Sequence, residues 1–207
     1  MLDLLDYRRR VTAMYRDVRE AGDHPAACAD FRRAKDRLFH THPQSALDSA
    51  QKAAFDGLRY YDYDPACRAI AALDPAVEPE VLHVELEEDG DFDYRRIGRV
   101  TFTLPTGTGT LSVFWIMGYG GGVFLPFRDA TAGHTTYGAG RYLYDTIKGA
   151  DLGTVGRQMV LDFNYAYNPS CAYNPRWVCP LSPPENRLDF PIPAGEMRPV
   201  RATSQSS

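Results

Sequence analysis

The chain has 207 residues, 44% hydrophobic and 24% charged, which is the composition of a folded domain with one sizeable core. Its formal net charge is −4 with no basic block, which argues against a nucleic-acid partner. The N-terminus lacks a basic segment followed by an apolar run, and no long uncharged apolar stretch occurs, so the expectation is a cytoplasmic protein that neither crosses nor binds a membrane.

Residues 2–20 predict an amphipathic helix, because Leu4, Tyr7, Val11, Met14 and Val18 recur at spacings of three and four. Arg8, Arg9, Arg10, Arg16 and Arg19 fall off that stripe and read as its solvated face. Gly22-Asp23 ends this helix and His24-Pro25 opens the next, whose buried stripe would be Ala27, Phe31, Ala34 and Leu38. His40 and His42 close it and interact with the helix dipole, or alternatively offer two metal ligands. A short helix spans 48–58, with Asp48 and Gln51 as a capping box.

From residue 81 the apolar period changes to two. Leu82, Val84 and Leu86 alternate with His83, Glu85 and Glu87; Asp89-Gly90 marks a hairpin turn, and 92–98 returns. Val100, Phe102 and Leu104 alternate with Thr101 and Thr103, and Pro105-Thr-Gly-Thr-Gly109 turns the chain again. Leu111–Met117 is apolar on both faces, so it should be covered on both sides. Gly118–Gly122 is a turn, followed by strands at 123–129, near 140–147 and at 158–164. Roughly seven short strands with no intervening helix exclude parallel crossovers. The 13 Tyr and 10 Phe suit the same half-buried sheet surfaces.

After Asn164 eight of the 15 prolines fall between Pro169 and Pro199, so no regular strand or helix can form there. Yet Tyr167, Tyr173, Trp177, Val178, Leu181 and Leu188 are too apolar to float free. The segment reads as an ordered strap, and Ala202–Ser207 as a frayed end. The expected architecture is a single domain, 1–207, of α+β class and mainly antiparallel. Helices lie in 1–60, a closed or strongly curved meander barrel in 81–165, and a proline-rich strap in 166–200.

The second half carries specific motifs. They are Pro126-Phe-Arg-Asp129, Thr136-Tyr-Gly-Ala-Gly-Arg-Tyr142, Asp162-Phe-Asn164, Ala166-Tyr-Asn-Pro169, Cys171-Ala-Tyr173, Cys179-Pro180 and Pro183-Pro-Glu-Asn-Arg-Leu188. His42-Pro-Gln-Ser45 and Phe55-Asp-Gly-Leu58 stand upstream. In these the chain resembles, from about Phe31 to Glu196, the family known as domain of unknown function 1684, found in bacteria and some archaea. The resemblance implies that the motifs form one site and does not name its chemistry.

Taken as residues, the motifs admit three readings. In the first, the strap closes the mouth of the barrel and gathers distant polar side chains into one pocket for a small polar or anionic molecule. Arg128 and Arg141 would hold the anionic group, with Asp129 beside them; Tyr137, Asn164, Tyr167 and Asn186 would orient the ligand; Asp162 and Glu185 would do acid–base work. Asp162 and Asn164 would share one strand face, opposite Leu161 and Phe163. In the second, Cys171, Cys179 and His134 form a zinc or iron site or a redox-responsive one, although their spacing is not that of a zinc knuckle. In the third, the motifs only fasten the strap: a buried Arg serves the carbonyls that a proline-rich segment leaves in surplus.

Overall fold

The computed structural model describes residues 1–84 and 92–199. Three helices form in the first quarter: α1 (Leu2–Glu20), α2 (His24–Thr41) and α3 (Ser49–Ala53). Asp23 caps α2 by accepting the Ala26 N–H, and Asp48 and Gln51 cap α3 reciprocally. α3 is shorter than the expected 48–58. The buried face of α2 is Cys28, Phe31, Lys35, Leu38 and Phe39, so two of the four expected positions move over by one and a lysine goes inside. A chain of edge-to-face rings, Tyr15–Phe31–Tyr165, each step 5.0 Å, ties α1 to α2 and α2 to the sheet.

The eight strands are β1 (Arg68–Asp74), β2 (Val81–Val84), β3 (Phe92–Leu104), β4 (Gly107–Ile116), β5 (Gly122–Phe127), β6 (Arg141–Asp145), β7 (Thr154–Val155) and β8 (Gln158–Asp162). All pairings are antiparallel, in the order β6-β5-β4-β3-β1-β8-β7, with β2 on β3. The sheet is strongly curled into a half-barrel rather than closed. β3 to β6 form the expected meander. β1 is the element the periodicity did not reveal: Arg-Ala-Ile-Ala-Ala-Leu-Asp carries only small or weak alternation, yet it joins the meander to β8. Expected strands at 92–98 and 100–104 are one strand with a bulge between Arg96 and Gly98. There Gly98 leaves room for β1, since a Cβ would sit 2.6 Å from the Asp74 carbonyl oxygen. The turn expected at Asp89-Gly90, the alternation at Glu85, Leu86 and Glu87, and the frayed end at Ala202–Ser207 lie outside the described residues.

Val100, Phe102 and Leu104 point inward between exposed Thr101 and Thr103, which pair with Thr110 and Thr108 across the hairpin. The core continues through Leu111, Val113, Leu125, Phe127, Leu143, Leu161 and Phe163. β4 is covered on both faces only from Leu111 to Phe114; Trp115 and Met117 are exposed. The second cover is the strap. Leu188 and Phe190 rest on bare backbone at Gly109 and Gly107, where an added Cβ would come within 2.6 Å of each ring or methyl. The Thr-Gly-Thr-Gly run is therefore a docking surface as well as the end of a turn. Among the described residues no helix is long and apolar enough to cross a membrane.

Candidate functional site

The strap is held by buried polar side chains that imitate missing backbone. Arg141, 1% exposed at the start of β6, donates to the carbonyls of Ile192 (3.0 Å), Ala194 and Glu196 and to the Asp129 carboxylate (3.2 Å). Burial lowers its pKa, against the pull of Asp129. Asp129 also accepts from the Ile192 N–H at 2.7 Å and from Thr131. Asn186, fully buried, accepts from the Ser112 N–H (2.7 Å) and donates to the carbonyls of Ser112 (2.9 Å) and Pro126 (2.7 Å). The β4–β5 ladder reaches only Phe114 and Phe124, and Pro126 has no N–H to offer, so one amide side chain closes the gap. Arg141, Asp129 and Asn186 thus fasten the strap, while the buried Arg141 Nε has no hydrogen-bond partner among the described residues.

Asp162 and Asn164 do not share a strand face. β8 stops at Asp162, whose carboxylate caps a 3-10 turn at 163–165 by accepting the Asn164 N–H (3.1 Å) and side-chain amide (2.9 Å). The Asn164 amide then grips both backbone groups of Asp64. Asp162 nevertheless has a free side. It lines a cavity of about 110 Å³ with Arg19, His24, Arg68 and Tyr165. The Arg68 Nε stands 3.8 Å from its carboxylate. Burial raises the Asp162 pKa above its usual value, opposed by the Asn164 hydrogen bonds and by Arg68. Among the described residues the Tyr165 hydroxyl, on a residue 2% exposed, has the Cys28 thiol as a weak partner and no nitrogen or oxygen one.

Cys171 and Cys179 meet across the strap: the Cys171 N–H donates to the Cys179 sulfur at 3.3 Å, and Tyr137 reaches the Cys171 sulfur at 3.8 Å. The hydrogen bond between the thiols raises the Cys171 pKa and lowers that of Cys179. Cys171 also lines an open groove of about 1150 Å³ between residues 47–59 and the strap. His134 is exposed on a separate loop, and among the described residues no group of three or more His, Cys, Asp or Glu could hold a metal. Glu185 is exposed and paired with Arg96 at 2.7 Å. The Arg128 guanidinium makes no hydrogen bond or ion pair among the described residues, while its backbone pairs with Asn186 and Leu188. Tyr167 stacks under Lys35, 4.6 Å from its ring centre. The expected single cavity is therefore three places: the fasteners, the Asp162 cavity and the thiol pair.

Sequence reasoning missed the partners. Lys35 in α2 forms a buried ion pair with Glu196 at 2.5 Å, and Glu196 also accepts from Tyr173 (2.6 Å) and the Asn168 N–H (2.8 Å). Lys35 lies four residues after Phe31 and three before Leu38, on an otherwise apolar stripe, and that position was the signal. Arg68 and His24 carried no local signal. His42 is buried, with Nε2 3.1 Å from the Asp6 carboxylate and Nδ1 accepting from Gln44, which fits the helix-end reading over a metal one.

These features define a class: an α+β protein whose curled antiparallel half-barrel is flanked by helices and bound on one side by a fastened, proline-rich strap. The chain belongs to the family described as Protein of unknown function (DUF1684), whose model matches residues 53–197, leaving His42-Pro-Gln-Ser45 outside the match. It is similar to an uncharacterized protein from gene locus rrnAC0354 of Haloarcula marismortui, solved by solution NMR. The identity is 32%, over 86% of this chain and 95% of that one, with a TM-score of 0.59. No curated protein matches it.

Proposed function

We propose that this protein binds a small oxyanion, a carboxylate or phosphate, in the cavity between β8, β1 and the helix pair. The observation that carries the reading is a cavity lined by Arg19, Arg68, His24, Asp162 and Tyr165, whose buried hydroxyl has no nitrogen or oxygen partner among the described residues. A volume of about 110 Å³, several times the ~10–15 Å³ that one water needs on the same measure, suits a molecule of a few heavy atoms. Arg68, poised 3.8 Å from Asp162, would pair with the anion; the Tyr165 hydroxyl would donate to it. Asp162, whose proton is held more tightly than usual, would share a proton with the ligand rather than repel it. This moves the anion-holding role from Arg128 and Arg141 to Arg68 and replaces Glu185 with no second carboxyl.

Thermal unfolding at constant ionic strength, with chloride exchanged for acetate, formate or phosphate, tests it. At saturating anion the melting temperature should rise by roughly 5 °C. The rise should vanish in Arg68→Ala and shrink in Tyr165→Phe. No rise with any of the three anions would defeat the reading.

A further inference from the structure

We infer that Cys171 and Cys179 are a redox-active dithiol, a site for thiol–disulfide exchange with low-molecular-weight disulfides. The geometry is that of a pair. The Cys179 sulfur lies 3.3 Å from the Cys171 backbone nitrogen, so the two residues are in direct contact, as a disulfide bridge requires. Both residues are partly exposed, and Cys171 forms part of the wall of the large groove, so the pair sits at the groove's edge.

The roles of the two sulfurs differ. Cys179 accepts the Cys171 N–H, a contact that favours its thiolate, and the Cys171 thiol donates to it as well. Cys179 is therefore the attacking sulfur. Its thiolate forms a bond to one sulfur of the incoming disulfide and expels the other half as a thiolate, leaving a mixed disulfide on Cys179. Cys171 then gives up its proton, attacks the Cys179 sulfur and releases the second half as a thiol. The protein loses two electrons and two protons; the small disulfide gains both and leaves as two thiols. Cys28 and Cys67 serve as internal controls. They are 1% and 4% exposed, and burial pushes the Cys67 thiol up to about 11.

The new bond would close the strap segment 171–179 into a ring, fixing the wall of the groove formed by Cys171, Ala172, Tyr173 and Pro175. The test is to incubate reduced protein with oxidised glutathione and map the cysteines by mass spectrometry after tryptic cleavage, which cuts between the two at Arg176. Expected is a loss of two hydrogen masses from the wild type and one cross-link, Cys171 to Cys179, with Cys28 and Cys67 still reduced. Cys171→Ser should trap glutathione on Cys179, and Cys179→Ser should take it up on Cys171 several-fold more slowly. A wild type that accumulates stable glutathione adducts without the cross-link, or that oxidises Cys28 or Cys67 as fast, would overturn the inference; that result needs no variant to fold.

Discussion

Asn186 does at one position what a strand does along a row. Its amide offers one acceptor and two donors, and all three are used at 2.7–2.9 Å on two strands that have stopped pairing with each other. Replacing it with Ala strands the Ser112 N–H and two carbonyls in a buried place, at about 1–3 kcal/mol for each group left without a partner. Asn186→Ala should therefore lower stability by about 3–5 kcal/mol in urea titrations, whereas exposed Glu185→Gln next to it should change it by about 0.5 kcal/mol or less. At the same scale, Asp162 has a pH signature. Its folded pKa is raised above 3.8. Its contribution to stability is thus fully present below 3.8 and is lost as pH rises through the raised value. Asp162→Asn keeps the oxygen that caps Asn164 and removes the titration. The variant should gain on the wild type as pH climbs from 3.5 to 7, by melting temperature; a difference that is flat or falls with pH would contradict the burial of that carboxyl.

Among the elements, α2 and the end of the strap are joined by Lys35 and Glu196, which bury a charge pair under Tyr167 and beside Tyr173. Breaking one side of such a pair is costly, about 3–5 kcal/mol, while replacing both with apolar groups is close to neutral. Lys35→Met and Glu196→Met should each destabilise strongly, and the double variant should recover most of the loss. Additive losses would mean that the two charges do not act as a pair. The elements also show what a sequence can and cannot convey. Capping at Asp48 and the alternation at Val100–Leu104 are local, so they are legible in the residues themselves, whereas Asp23, read as the end of α1, caps α2. β1 was hidden because Ala69, Ala71 and Ala72 give little contrast between faces; its place is set by neighbours β3 and β8 far along the chain. β8 read two residues too long because Asp162-Phe-Asn164 alternates like a strand, while its side chains cap a turn.

For the molecule as a whole, the half-barrel and the strap were visible in the change of period at residue 81 and in the prolines after Asn164. What was not visible is which polar groups face each other across a hundred residues, as Asn164 and Asp64 do. Residues grouped by motif are grouped along the chain; the fold sorts them by which backbone they must satisfy. Arg141, Asp129 and Asn186 hold the strap, and the cavity at Asp162 is lined from elsewhere, by Arg68, His24 and Tyr165. The most direct measurement of that division is an amide NMR titration with acetate and with phosphate, recorded on the assigned wild-type protein. Shift changes are predicted at Arg68, Gly153, Asp162 and Tyr165, with Arg128, Arg141 and Asn186 unmoved. Changes that instead centre on Arg128 and the strap, or on the groove at Cys171, would contradict it.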